Sequence, residues 1–143
     1  MIIDSLKEMA HVTLVDGCFD PLHHGHVEYF RQASMFGDPV FCYVSGDHYL
    51  LRKHKPLLSG EKRILIIDAI RYINFCHLGN TSTADALERI RPKRYLKGKD
   101  WLLKGLPEKE VEICEKYAIE VAFVDATLDS STNILKSYLE DLK

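Results

Sequence analysis

Short apolar runs alternate with amphipathic stretches from Val12 onward. Val12-Thr13-Leu14-Val15 has the β-branched, apolar character of a strand, and Val40 to Val44 is a continuous apolar run typical of a buried one. Between them, Gly25 to Phe36 predicts a helix with Val27, Phe30 and Ser34 along one stripe and Gly37 as a natural stop. Asp16 to His24 is a loop rich in turn residues, and Ser45 to Leu58 is a polar, basic loop. Ser59 is placed to cap a helix that runs through Ile64, Leu65 and Ile67 to about Arg71, with Glu61 in its first turn. Ile73 to Leu78 predicts a third strand, and Thr83 caps a short helix that ends near Ile90, before Pro92. Tyr95-Leu96 is a short fourth strand, followed by a loop from Lys97 to Trp101. Pro107 sits where a first helical residue should be, and Glu108, Glu110 and Glu112 favour that end. Val121 to Val124 reads as a fifth strand. Ser131 or Thr132 opens a last helix with Ile134, Leu135, Tyr138, Leu139 and Leu142 on one face.

Strand and helix alternating in this way predict an α/β fold, a doubly wound parallel five-stranded sheet covered on both sides. Ligands in such sheets bind beyond the carboxyl ends of the strands. The loops 16–26, 45–58 and 97–101 each follow a strand, so all are expected to open on one edge.

Composition narrows the function classes. The 143 residues suit a single domain, residues 1–143, large enough to bury a core without disulfides or a structural metal. A net charge of -2 provides no global electrostatic footprint for nucleic acid. Cys18, Cys42, Cys76 and Cys114 are far apart and form no C-x-x-C pair, which argues for reduced thiols in a cytoplasmic protein. Met1 to Ala10 lacks the apolar run of a signal peptide, and no stretch is suited to span a bilayer.

Candidate chemistry concentrates in the first loop, Asp16-Gly17-Cys18-Phe19-Asp20-Pro21-Leu22-His23-His24-Gly25-His26. His23 and His26, three positions apart at the start of a helix, can face the same side. Gly25 lets a ligand approach the backbone, and the helix N-terminus adds free N–H groups and a positive dipole end. The combination suits a phosphate better than a solvated turn. A zinc site on His23, His24 and His26 stays open, although only Asp20 is a nearby further ligand and the spacing is not that of a metalloprotease helix. The run Arg52-Lys53-His54-Lys55 is either a solvated loop or a neutralising patch for a triphosphate. Ser130-Ser131-Thr132 is either an ordinary cap or a hydroxyl-rich anion site. In Lys97-Gly98-Lys99-Asp100-Trp101, Gly98 permits close approach, Asp100 is a potential nucleoside or metal contact, and Trp101 stacks on a base or covers the core.

Gly17-Cys18-Phe19-Asp20 followed by His23-His24-Gly25-His26 resembles the cytidylyltransferase-like branch of the HxGH nucleotidyltransferases. The likeness covers nearly the whole chain from Val12. Phe36-Gly37-Asp38 is similar to the family's Leu-Gly-Asp, Ser45-Gly46-Asp47 to its Ser-x-Asp, and Glu61-Lys62-Arg63 to its Glu-x-Arg. Lys97-Gly98-Lys99-Asp100 and Ser130-Ser131-Thr132-Asn133-Ile134 look most like the adenylyltransferase domain of bacterial heptose-phosphate enzymes of lipopolysaccharide core biosynthesis. Glycerol-3-phosphate cytidylyltransferases and archaeal FAD synthetases are similar too. Asp125-Ala126-Thr127-Leu128-Asp129 stands where the cytidylyltransferases have Arg-Thr-Glu-Gly-Ile, so an expected arginine and a glycine are missing.

The resemblance implies a Rossmann-like fold and transfer of a nucleoside monophosphate to a phosphorylated acceptor, with pyrophosphate released. It implies ATP before CTP. His23, His26 and Lys55 are then catalytic. Cys18, Phe19, His23, His24, Gly25, His26, Gly98, Asp100, Ser130, Ser131 and Thr132 bind the nucleotide. Asp20, Lys53, Lys55 and Arg63 hold the acceptor or phosphates. Mg²⁺ accompanies the nucleotide with no dedicated protein cage, and the implied assembly is a homodimer. A nucleotide sensor on the same fold, without turnover, and a zinc-dependent hydrolase using His23, His24 and His26 are the rivals from other classes.

Overall fold

The computed structural model describes residues 1–124 and 131–142, with only the backbone of Ser131 and Thr132. Five strands form one parallel sheet in the order β3-β2-β1-β4-β5: β1 (Thr13–Gly17), β2 (Val40–Ser45), β3 (Phe75–Gly79), β4 (Arg94–Lys97) and β5 (Glu120–Phe123). The chain builds β1, β2 and β3 outward in one direction. It then returns to the other side of β1 for β4 and β5. That reversal leaves a crevice above the carboxyl ends of β1 and β4.

Strand alternation decides which helices cover which face. Val15, Cys42, Val44 and Leu96 pack under α1 (His24–Ser34) and α3 (Gly60–Asp68), through Tyr29, Phe30, Ala33, Ile64 and Ile67. Leu14, Phe41, Tyr43 and Tyr95 point the other way, under α4 (Thr83–Ile90) and α6 (Glu108–Lys116), through Ala86, Leu87, Ile90 and Cys114. The buried face of α1 is therefore Gly25, Tyr29, Phe30 and Ala33 rather than a Val27-Phe30-Ser34 stripe. A groove of about 370 Å³ remains between α1 and β5, lined by residues such as Met35, Leu96 and Val124.

Two expected loops contain a turn of helix, α2 (Asp47–Leu50) after β2 and α5 (Asp100–Lys104) after β4. α3 ends at Asp68, short of Arg71. Ser82, not Thr83, caps α4, its hydroxyl accepting the Asp85 N–H at 3.1 Å. This frees the Thr83 hydroxyl for another partner. Pro107 stands one residue before α6, at its N-cap. The last helix, α7 (Ser131–Asp141), forms as expected, but Leu135, Tyr138, Leu139 and Leu142 are exposed. The departures at 125–129 and the Ser130 site lie outside the described residues.

Candidate active site

The loop after β1 is held tightly. Phe19 adopts a left-handed backbone, φ 53°, which costs a non-glycine residue about 1 kcal/mol or more. Its buried ring offsets this by packing edge-on against His26, centroids 5.0 Å apart, and Phe30, 5.3 Å apart. The turn requires Gly17, since a Cβ there would meet the Phe19 ring at 2.9 Å. The Asp20–Pro21 peptide bond is cis.

Two histidines begin α1 and cap it themselves. The Gly25 N–H donates to His23 Nδ1 at 3.1 Å, and the His23 N–H donates to His26 Nδ1 at 3.2 Å. Each accepting Nδ1 is unprotonated, so the proton of each neutral ring sits on Nε2. The two rings lie against each other, centroids 3.8 Å apart. Burial, and then the nearby His23 and His24, push His26 down to about 4, so it is neutral near pH 7. A pair of neutral N–H donors on one helix start, beside its free backbone amides, is suited to oxygens that gain negative charge. His24 is exposed and Gly25 is buried in the first turn.

Asp20 and Arg63 both make extensive contacts within the chain. Both Asp20 oxygens accept backbone amides, Leu58 and Leu57 N–H at 2.8 Å each, and so tie the β1 loop to the β2 loop. Arg63 was expected to hold acceptor or phosphate, yet its side chain has 0% exposure. Its Nε donates to the Leu58 carbonyl at 3.0 Å, and one terminal nitrogen donates to the Cys18 and Ser45 carbonyls at 2.8 and 2.6 Å. The other terminal nitrogen bonds Asp47 at 2.8 Å. The guanidinium fork is taken up by the Leu58, Cys18 and Ser45 carbonyls and by Asp47, so Arg63 ties the ends of β1 and β2 together beneath the site. Asp47 also accepts the Gly60 N–H at 3.0 Å, and these contacts with burial-opposing strength hold its carboxyl below the usual range. Asp38, on the opposite edge of the sheet, pairs with Arg94 at 2.9 Å and Lys93 at 3.2 Å.

A cleft of about 660 Å³ opens at the carboxyl ends of β1, β2 and β4, on the α4 and α6 side. Gly17 and Cys18 form its rim toward the histidine loop, and Lys53, Thr83, Trp101 and Glu110 also line it. Of the basic run, all exposed, Lys53 lines this cleft and Lys55 does not. Gly98 is buried, and Asp100 is exposed at the start of α5. Lysine ammoniums lie over the Trp101 ring, Lys97 at 4.7 Å and Lys104 at 4.6 Å from its centre, so a stacked base would compete with them.

The cleft floor carries a buried ionic cluster. The register that pairs Leu14 with Tyr95 brings Asp16 beside Lys97, whose Nζ donates to Asp16 Oδ1 at 2.9 Å. The Thr83 hydroxyl donates to Asp16 Oδ2 at 2.8 Å, and the Tyr95 hydroxyl donates to Glu110 at 2.6 Å. Burial raises the Glu110 carboxyl above the usual range. Sequence reasoning left Asp16, Thr83 and Glu110 out of the site. The available signal was a carboxylate and a lysine ending two apolar strands, but only strand order makes them neighbours.

The sheet is Rossmann-like, and its first loop presents paired histidines on a helix start. The chain belongs to the cytidylyltransferase-like family, which it matches over residues 14–137. It is 34% identical over 134 residues to the bifunctional protein HldE of Geobacter sulfurreducens, a match that covers 90% of this chain and 27% of that protein. It is 32% identical over 112 residues to an FAD synthase of Methanosarcina mazei, covering 70% of this chain and 74% of that enzyme. The chain thus spans about a quarter of the length of HldE. A solved lipopolysaccharide core biosynthesis protein of Thermoplasma volcanium shares the fold, with a TM-score of 0.67, 19% identity, and coverage of 87% of this chain and 100% of that one.

Proposed function

We propose that this protein transfers AMP from ATP to the phosphate of a small phosphorylated acceptor, such as a sugar 1-phosphate, and releases pyrophosphate. The observation that carries the reading is the pair of closely packed imidazoles at the start of α1, each accepting a backbone amide at Nδ1 and so leaving Nε2 as the donor. An acceptor phosphate is already anionic, so the enzyme supplies position and charge stabilisation rather than a general base. The acceptor oxygen attacks the α-phosphorus, the bond to the bridging oxygen breaks, and pyrophosphate takes the electron pair. In this reading His23 and His26 donate to the α-phosphate oxygens as charge builds there. Cys18, Phe19, His24 and Gly25 supply backbone around them. Lys53, on the cleft wall, and the nearby Lys55 meet the acceptor phosphate or the leaving pyrophosphate. Gly98 and Asp100 contact the nucleoside, and Ser130, Ser131 and Thr132 hold the outer phosphates.

Among the described residues no cluster of three or more histidine, cysteine or acidic side chains is arranged to hold a metal. Mg²⁺ fits this site as an ion carried by phosphate oxygens and water, which is its usual mode with nucleotides. No helix of the described residues is long and apolar enough to cross a membrane. The setting proposed is the cytoplasm, with a homodimer as the working form.

A matrix of ATP and CTP against a heptose 1-phosphate, glycerol 3-phosphate and FMN, followed by pyrophosphate release, tests the proposal. ATP with a sugar 1-phosphate is the expected best pair, by roughly tenfold to a hundredfold in kcat/KM over CTP, since one or two unpaired base-edge contacts cost about 1–3 kcal/mol each. A clear CTP preference would overturn adenylyl transfer. The likeness to FAD synthase over most of that enzyme's length favours FMN as the second acceptor to try.

A further inference from the structure

The parallel ladder between β1 and β4 stops early. β1 pairs with β2 along its whole length, from Thr13 with Val40 to Gly17 with Val44, and β4 pairs with β5 from Arg94 with Glu120 to Lys97 with Phe123. Between β1 and β4 only Thr13 with Arg94 and Leu14 with Tyr95 are in register. Both strands therefore stay regular while their carboxyl ends part. The Thr13 N–H donates to the Pro39 carbonyl at 2.9 Å on the β2 side, so the even residues of β1 face β4. On that side the Arg94 N–H donates to the Val12 carbonyl at 3.3 Å. A parallel ladder repeats every two residues along each strand, so its next donor on β1 after Leu14 is the Asp16 N–H, and the acceptor due to it is the Leu96 carbonyl. The Tyr29 hydroxyl, from α1, stands in place of that bond. It accepts the Asp16 N–H at 3.4 Å and itself donates to the Leu96 carbonyl. Tyr29 is 4% exposed, in the core layer that holds Val15, Phe30 and Leu96. Burial, and then the nearby Asp16 carboxylate, raise its phenol well above the ordinary range, so the hydroxyl keeps its proton. A buried water could bridge the same two groups, but it would tie them to nothing else. The tyrosine ties them to the histidine helix. It follows His26 by three positions, on the same side of α1, and the adjacent Phe30 packs on Phe19, which packs on His26.

Resting on the nucleotidyl-transfer reading above, we propose that Tyr29 is a positioning residue for the reaction. Its hydroxyl, set between the Asp16 N–H and the Leu96 carbonyl, fixes the helix that carries His23 and His26 against the parted ends of β1 and β4. It thereby sets where the two imidazoles stand when the α-phosphate arrives. Buried beneath them, Tyr29 acts through the histidines.

Tyr29→Phe keeps the ring and its packing and removes only the bridging oxygen. Pyrophosphate release from the best nucleotide and acceptor pair should show kcat lowered roughly 10- to 100-fold, the scale of a misplacement of about 1 Å. Both KM values should stay within about twofold, because the binding surfaces are intact. A merely structural role would lower Tm and leave the kcat of the folded enzyme where it was. Added to His26→Ala, Tyr29→Phe should cost no more than about threefold further, since one of the donors it positions is already gone. Amide hydrogen exchange on the wild-type protein needs no variant to fold. The Asp16 N–H should be protected alongside the other amides of β1, although the ladder to β4 has ended before it. An unchanged kcat in Tyr29→Phe, a KM that rises in place of the fall in kcat, losses that multiply in the double variant, or an Asp16 amide that exchanges like one in an open loop overturns the positioning role and leaves nucleotidyl transfer standing. No pyrophosphate from wild type with any pair of substrates overturns the underlying reading, and the role with it.

Discussion

Arg63→Met distinguishes a scaffold from a substrate contact. Methionine fills much of the arginine's volume and removes every donor. The Cys18, Ser45 and Leu58 carbonyls would then lose the fork that joins them. Stranding a buried polar group costs about 1–3 kcal/mol. The Ser45 carbonyl is buried and pays fully, while the partly buried Cys18 and Leu58 carbonyls recover some water. Asp47, whose side chain is 44% exposed, is rehydrated, so its share of the ion pair is small. The sum is about 3 kcal/mol, which for a chain of this size lowers Tm by roughly 6–12 °C. Arg63→Lys should lose nearly as much, because one ammonium cannot reproduce a planar fork. Thermal and urea unfolding read the stability, and steady-state pyrophosphate release reads KM and kcat. Both variants should lose stability, with activity falling through kcat as the Cys18 loop loosens. An unchanged Tm with a raised acceptor KM would refute the scaffold role and restore Arg63 to the phosphate.

His26→Ala should lower single-turnover rates by about 10²–10³, the loss expected for one preorganised donor, and His24→Ala far less; equal losses would refute the assignment. His26 is held near 4 against an ordinary 6.5, so the fold favours its neutral form. Below pH 6.5 the unfolded chain takes up a proton that the folded one refuses. Stability should therefore fall by at most about 3 kcal/mol between pH 6.5 and 4 and level off below, a slope absent from His26→Asn in urea titrations. Asp20→Ala should cost about 1–2 kcal/mol and speed proteolysis within 52–58, since the Leu57 and Leu58 amides lose their clip. Unchanged proteolysis there would remove Asp20 from the scaffold.

How much was legible follows from the range of each interaction. Period and end signals are local, so the five strands, the parallel sheet and the helix beginning at the histidines could be read from neighbouring residues alone. The same holds for the histidine pair, whose spacing and helix start are set within four positions. Fine boundaries slipped where two adjacent hydroxyls competed, as with Ser82 and Thr83, because a cap is chosen by which side chain the tertiary fold leaves free.

The tertiary structure alone decided what each charged residue does. A charge in a string of letters looks the same whether it meets substrate or a distant carbonyl. Arg63 became a scaffold because strand order carries the ends of β1 and β2 to it across 45 and 18 positions. Lys53 rather than Lys55 reached the cleft wall. Asp16 and Lys97 are 81 positions apart and became partners because β4 returns to pair with β1. Hydrophobic periodicity determines that such a sheet forms, since burial of apolar faces is a local, additive demand. The pairing of charges depends on strand order and register, which are properties of the folded whole.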